Sequence, residues 1–258
     1  MSADCFTFRQ FVIRQDNCAM KVGTDGTLLG AWAAGVTDDE GCPDTDASIS
    51  ILDIGTGTGL IALMMAQRFP NASVIGIDID DEAVRQAQEN AEQSPFHERI
   101  SFKHIALQDY PDVTDYGDGD DGKFDVIVCN PPFFENALVC PDRQRTAARH
   151  TSALPFQVLM KQASSLLKPC GVLSVIIPTE SKGRIEEEAA ISGLCLYRFC
   201  AVFTKKGKTP KRYLLEFTVR PRPICRTEIV IGSDDYKRLT DEFYLPRPMT
   251  SQDDKTAS

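Results

Sequence analysis

Residues 49–59 read Ile-Ser-Ile-Leu-Asp-Ile-Gly-Thr-Gly-Thr-Gly, and the apolar stretch LIALMMAQRF (60–69) follows at once. An apolar β run, an alternation of glycine and threonine, and a helix-forming segment make a strand–turn–helix unit. Glycines at such a turn let the backbone bend tightly and approach a ligand at the helix N-terminus. A second β run, Ser73–Asp78, ends in an acid nineteen residues after Gly59. That is the place for a carboxylate that accepts hydrogen bonds from ribose hydroxyls. A plain tight turn and an ordinary strand-end acid would look similar one at a time; the acid at this offset favours a ligand. Leu60 stands where a dinucleotide fingerprint needs its third glycine, and no Gly-Lys-Ser/Thr follows, so neither a dinucleotide site nor a triphosphate P-loop is indicated.

Outward from this unit the same rhythm continues. Helix-like segments are expected over 58–69, 80–93, 155–168 and 181–193, and apolar strands at 49–54, 73–78, 100–105, 124–129 and 172–178. Asp80 or Asp81 is the expected N-cap of the second helix. Alternating strands and helices with near-continuous apolar strands point to an α/β protein with a mostly parallel sheet and helices on both faces. Then the pattern changes. Segments 196–203 and 212–219 read as an antiparallel hairpin whose tip, TKKGKTPK, is basic. A short strand at 227–231 and a last helix at 233–244 complete the reading. Residues 1–48 are expected to form an N-terminal cap segment before a domain at 49–245, the acidic stretch 36–47 to be a surface loop, and 246–258 to be a polar, disordered tail.

The strand at 124–129 ends in Asn130-Pro131-Pro132-Phe133. Two prolines, with fixed φ and no N–H, stop both strand and helix and make a stiff open turn. Such a turn presents an amide, carbonyl oxygens and an aromatic face in a fixed arrangement. These groups suit a planar nitrogen nucleophile: acceptors for its N–H groups and a ring to stack on.

The 258 residues can bury a large core, and 42% hydrophobic with 25% charged residues is the composition of a soluble globular protein. No run approaches the ~18 apolar residues of a membrane span, and no basic-then-apolar leader opens the chain. The nine cysteines are scattered without a Cys-x-x-Cys pair, and only three histidines accompany them, so neither a disulfide framework nor a metal site is expected and a reducing cytoplasm suits the chain. A net charge of −9 argues against nonspecific coating of nucleic acid. Base is nonetheless concentrated at 205–226 and at Arg143, Arg145 and Arg149, where a polyanion could dock.

Asp53–Gly59, Asp78 and Asn130–Phe133, in this order, resemble the class I S-adenosylmethionine-dependent methyltransferases, in the branch whose Asn-Pro-Pro-Phe/Tyr turn methylates amino groups conjugated to a π system. The resemblance implies a Rossmann-like, mostly parallel seven-stranded sheet with a C-terminal antiparallel hairpin. A narrower resemblance is carried by CAMKVGTDGTLLGAW (18–32), AQENAEQSPFHERI (87–100), NPPFF (130–134), Arg145 and Arg149 before His150, and FYL (243–245). These segments are similar to the bacterial enzymes that methylate N6 of the adenine beside the anticodon in valine tRNA. Binding of S-adenosylmethionine is then implied for Asp53, Gly55, Thr56, Gly57, Gly59 and Ile79, with Asp78 at its ribose and Lys21, Thr24 and Asp25 closing over its amino-acid end. Ala106 stands where the family places an acid for the cofactor's adenine, and Asp109, three residues on, is the candidate substitute. Asn130, Pro131, Pro132 and Phe133 are the implied catalytic residues. Arg145, Arg149, Lys205, Lys206, Lys208 and Lys211 are the expected contacts to tRNA, and the protein is expected to act as a monomer without a metal.

Two other readings share some of these features. A protein glutamine methyltransferase of the release-factor type carries the same turn but places a helical substrate domain before its glycine loop, and here that loop begins at residue 53. A noncatalytic RNA-binding protein with a relic cofactor fold would need neither an intact turn nor an intact loop.

Overall fold

The computed structural model describes residues 5–16, 21–35, 48–111, 122–131 and 154–246. Its centre is an eight-stranded sheet. In chain order the strands are β3 (Ser50–Ile54), β4 (Ser73–Asp78), β5 (Ile100–His104), β6 (Phe124–Cys129), β7 (Leu167–Pro178), β8 (Cys195–Phe203), β9 (Arg212–Thr218) and β10 (Cys225–Val230). Across the sheet the order is β10-β8-β9-β7-β6-β3-β4-β5. Only β9 runs against its neighbours, pairing antiparallel with both β7 and β8. The hairpin is therefore as expected, but the sheet has eight strands, not seven. The added strand, β10, pairs parallel with β8 at the edge.

Each central strand buries both faces, because its apolar run feeds two cores on alternate residues. Ile51, Val74, Val126, Val128, Val172 and Ile176 point to one core; Leu52, Ile54, Ile77, Ile127, Leu173 and Val175 point to the other. On the first face lie helices α1 (Thr24–Trp32), α2 (Leu60–Arg68), α3 (Asp81–Glu92) and α6 (Asp234–Thr240). The second face is covered by α4 (Phe156–Leu166) and α5 (Lys182–Ile191). Helix α2 is apolar all round because α1 covers the side turned away from the sheet: every residue from Leu60 to Ala66 is buried. Gly30 permits this close crossing, since a Cβ there would come within 2.7 Å of Met64 Sδ.

The N-terminal segment is a built part of the first face. A short hairpin, β1 (Cys5–Thr7) with β2 (Val12–Arg14), precedes α1. Phe8, Ile13, Leu28 and Leu29 enter the same core as Phe243 from the C-terminal segment. Element ends differ from the sequence reading by a few residues. Helix α2 begins at Leu60, two residues late, because Gly59 in left-handed backbone (φ 79°) is its N-cap. Strand β7 begins at Leu167, five residues early, with a register shift against β6 through the KPCG segment. The last helix stops at Thr240 and continues as turns. Among the described residues no helix is long and apolar enough to cross a membrane.

Candidate active site

After β3 the chain builds β4 and β5 on one side of that strand, then crosses over to place β6 on the other. The direction of winding thus reverses between β3 and β6, and ligands of open α/β sheets bind in the crevice at the carboxyl ends of such strands. The two motifs meet there. Ile54 is paired with Cys129, so Gly55 and Asn130, the next residue of each strand, leave the sheet side by side. Neighbouring strands are about 4.8 Å apart, which sets the scale of their separation.

The loop after β3 is shaped for close approach. Gly55, Gly57 and Gly59 all have positive φ, of 68°, 55° and 79°. A Cβ at Gly55 or Gly57 would meet nothing within 4 Å, so open space lies against the bare backbone of both. The loop is held to β4 by the N–H groups of Gly55 and Thr56, which both donate to the Ile77 carbonyl (2.9 and 3.0 Å). The Gly57 N–H donates to Asp78 Oδ2 (2.9 Å), and the Asp80 N–H to Asp78 Oδ1 (3.0 Å). Asp78 therefore has both oxygens fixed at the rim of the crevice, each with acceptor capacity left. Ile79 beside it is half-exposed, an apolar side chain presented at the same edge.

Asp53 lies beneath the loop, fully buried. Its Oδ2 accepts from Thr56 Oγ1 (2.7 Å) and from the Ala62 N–H at the start of α2 (3.1 Å). Its Oδ1 is buried with no partner among the described residues. Burial pushes this carboxyl up from 3.8 to about 7; the two hydrogen bonds oppose the rise, and the negative charge of Asp78 adds to it. A buried acceptor without a donor is costly and marks a place where a ligand group can complete it.

Asn130 repeats that signal. Its Oδ1 is also buried without a partner among the described residues. The Cys129 thiol just before it is held well above its ordinary value by burial and by Asp53 and Asp78, so it stays protonated and is no nucleophile. Two side-chain oxygens, buried and without a partner among the described residues, thus lie at the carboxyl ends of the two strands of the winding reversal.

The remaining expected residues fall into groups. Pro131 follows Asn130 among the described residues; Pro132, Phe133, Arg145, Arg149 and His150 lie outside them. Asp109 is exposed at the end of a 3-10 turn (Leu107–Asp109) beyond β5 whose Leu107 is buried, its N–H donating to the Ala106 carbonyl (3.0 Å). Lys21 and Thr24 are exposed at the entry to α1. Asp25 pairs with the Arg212 guanidinium, Oδ2 to Nε 2.7 Å, so the start of α1 is tied to the start of β9. Lys205, Lys206, Lys208 and Lys211 are exposed on the hairpin between β8 and β9.

Three supporting residues carried no local sequence signal for their roles. Asn90 on α3 donates to the carbonyls of Thr58 (2.9 Å) and Arg14 (3.0 Å) and accepts from the Arg14 N–H (2.9 Å), stapling the glycine loop to the N-terminal hairpin. Gly76 lies under the loop, where a Cβ would sit 2.5 Å from the Phe102 ring and 2.8 Å from Thr56 Oγ1. Phe102 is the third: its ring also fills the space beside Gly59.

A doubly wound sheet with a glycine loop at its winding reversal and a single reversed strand near one edge defines a class I methyltransferase fold. Comparison with known proteins agrees. Residues 45–218 match the model of a methyltransferase domain. A solved structure described as a predicted O-methyltransferase, from Agrobacterium tumefaciens, shares the fold with a TM-score of 0.61 at 18% identity, over 88% of this chain and all of that one. The tRNA1(Val) (adenine(37)-N6)-methyltransferase of Bacteroides thetaiotaomicron is 42% identical over 95% of this chain and 99% of its own length. The protein of the same description from Porphyromonas gingivalis W83 is 45% identical, over 95% and 96%. This chain belongs to the tRNA1(Val) (adenine(37)-N6)-methyltransferase family.

Proposed function

We infer that the protein transfers the methyl group of S-adenosylmethionine to the exocyclic N6 amino group of adenine 37 in tRNA1(Val). The observation that carries this reading, beside the family, is the position of Asn130: a buried amide oxygen without a partner among the described residues, one strand from the glycine loop.

S-adenosylmethionine supplies a methyl group already activated on a sulfonium sulfur, so the protein's work is placement and electrostatics. The open backbone at Gly55 and Gly57 gives room for the cofactor against the loop. The Asp53 carboxyl, with its unpartnered Oδ1, faces the cationic amino-acid end, and Lys21, Thr24 and Asp25 close over it. Asp78 accepts from ribose hydroxyls, Ile79 packs on the cofactor's base, and Asp109 takes its amino group. On the other side, Asn130 Oδ1 and the Pro131 carbonyl accept the N–H groups of the target adenine. An exocyclic nitrogen conjugated to a purine is a poor nucleophile, and acceptors on its N–H groups favour the positive charge it gains on attack. Pro132 keeps the turn stiff, and Phe133 stacks on the base, worth about 1–3 kcal/mol. The adenine leaves its own stack to reach this pocket. Arg145, Arg149, Lys205, Lys206, Lys208 and Lys211 hold the RNA backbone. Residues 1–48 act as a cap on the catalytic domain.

Labelled methyl transfer onto unmodified valine tRNA and, in parallel, onto a release factor tests the reading. N6-methyladenosine in the tRNA alone is expected after nucleoside analysis; label in the protein instead would replace this conclusion with glutamine methylation.

A further inference from the structure

Beyond the winding reversal, a second concavity opens at the same edge of the sheet. It has a volume of about 420 Å³, inside the range of roughly 300–1,000 Å³ of small-ligand sites. One wall is Thr179 and Glu180, the 3-10 turn that follows β7. The other is Thr209, Pro210, Lys211 and Tyr213, the descending arm of the basic hairpin, together with Arg212. The sheet fixes its distance from the catalytic turn. Val175 of β7 pairs with Cys129, so Asn130 is level with Ile176 and the cavity wall begins three residues further along the neighbouring strand. That is about 10 Å at the rise of an extended strand. A ligand in the cavity thus adjoins whatever occupies the turn.

The lining is chemically mixed. Lys211 is exposed, and Arg212 is fixed in place by Asp25 and by its Nη1 donating to the Lys211 carbonyl (2.9 Å). Tyr213 offers a ring, itself braced by Phe199 at 4.9 Å between centroids. Opposite these cations stands the exposed carboxylate of Glu180. A simple anion would be repelled by Glu180, whose carboxylate accepts from Thr179 Oγ1 (3.3 Å), and an apolar group would gain nothing from the Lys211 ammonium or from that carboxylate. A nucleotide fits both halves: its phosphate is anionic, its base stacks, and an amino group on the base edge donates to a carboxylate, which can only accept.

We propose that this cavity binds a nucleotide flanking the target adenine, with Lys211 on its phosphate and Glu180 reading an amino group on its base. The inference rests on tRNA being the substrate. It adds a specificity-determining residue, Glu180, on an element distinct from the catalytic turn. A rival role for Glu180 is local: it precedes α5, and an acid at that end suits the helix dipole. A helix-stabilising role alone gives no dependence on RNA sequence.

The test uses the full chain and anticodon stem-loop RNAs carrying each of the four bases at the nucleotides on either side of the target adenine. For the unaltered protein, kcat/KM is expected to favour bases that present an amino group at one of these positions by about tenfold. Glu180→Gln is expected to flatten that preference, while Lys211→Gln weakens all the RNAs alike and lowers the slope of log K against log salt by about one. Calorimetric binding of S-adenosylmethionine to each variant checks that the fold is intact. If the unaltered protein methylates tRNA but Glu180→Gln keeps its base preference, or shows only a lowered Tm, the cavity proposal falls and the proposed function stands. If the unaltered protein methylates no RNA, both fall.

Discussion

At the scale of single residues, the candidate site is marked by two buried side-chain oxygens without a partner among the described residues, Asp53 Oδ1 and Asn130 Oδ1. They lead to different experiments. On the proposed function Asn130→Ala removes an acceptor for the reacting amino group, so cofactor affinity should persist while kcat falls by about 10²–10³; near-normal turnover would refute the role. Asp53 is a matter of protonation. Its carboxyl is near 7 in the free protein, raised by burial. On the proposed placement of the cofactor, a cationic group beside it would favour the ionised form, so the complex would have the lower pKa and binding would release a proton. Affinity for S-adenosylmethionine should therefore rise as pH increases through about 7, and the rise should vanish in Asp53→Asn. Calorimetry in buffers of different ionisation enthalpy reads the proton directly. The same raised pKa works against the free fold: between 3.8 and about 7 the folded state holds a proton that the unfolded state has lost, so this residue's contribution to stability declines as pH rises through that window.

At the scale of elements, the three left-handed glycines and the strand–turn–helix unit they form were legible, because the chemistry is written in consecutive residues. So was the proline turn. What was not legible depends on partners far along the chain or on edges without an apolar pattern. Asn90 reaches residues 76 and 32 positions away, and nothing around it distinguishes it from a surface helix residue. Asp25 meets Arg212 across 187 positions, which sequence spacing does not reveal. Strand β10 has four exposed residues in a row and is held by backbone pairing with β8, so no periodicity announces its full length or the eighth place it takes. The three-residue strands β1 and β2 are too short to show any period. Two substitutions test the supports. Asn90→Ala should cost about 1–3 kcal/mol through the orphaned Arg14 and Thr58 backbone groups and weaken cofactor binding by loosening the loop. Gly59→Ala places a side chain in left-handed backbone with Phe102 and Ala87 at 3.1 and 3.2 Å, a cost of about 1–3 kcal/mol that chemical denaturation can measure.

At the scale of the whole molecule, the two ends of the chain close one structure. Glu216 on β9 is fully buried and accepts from Ser174 Oγ (2.7 Å), from the Ala34 N–H after α1 (2.9 Å) and from Arg198 on β8 (3.2 Å), while the Arg198 guanidinium lies 4.1 Å over the Trp32 ring. Removing the charge from one partner strands the other. Glu216→Gln should cost about 3–5 kcal/mol, lowering Tm on the order of 10 °C for a chain of this size. Nearer the ends, Arg9 donates to the Tyr244 carbonyl (2.7 Å) and pairs with Asp241, and Phe243 is buried among N-terminal side chains. Synthesis runs in one direction, so the hairpin and helix that brace the glycine loop emerge from the ribosome long before residues 198–243, on which they dock. The N-terminal hairpin and helix wait for the last part of their own message to be read. Ribosome-bound chains halted near residue 190 should hold a protease-sensitive N-terminus and bind no S-adenosylmethionine, and both properties should change together once the chain through Tyr244 has emerged.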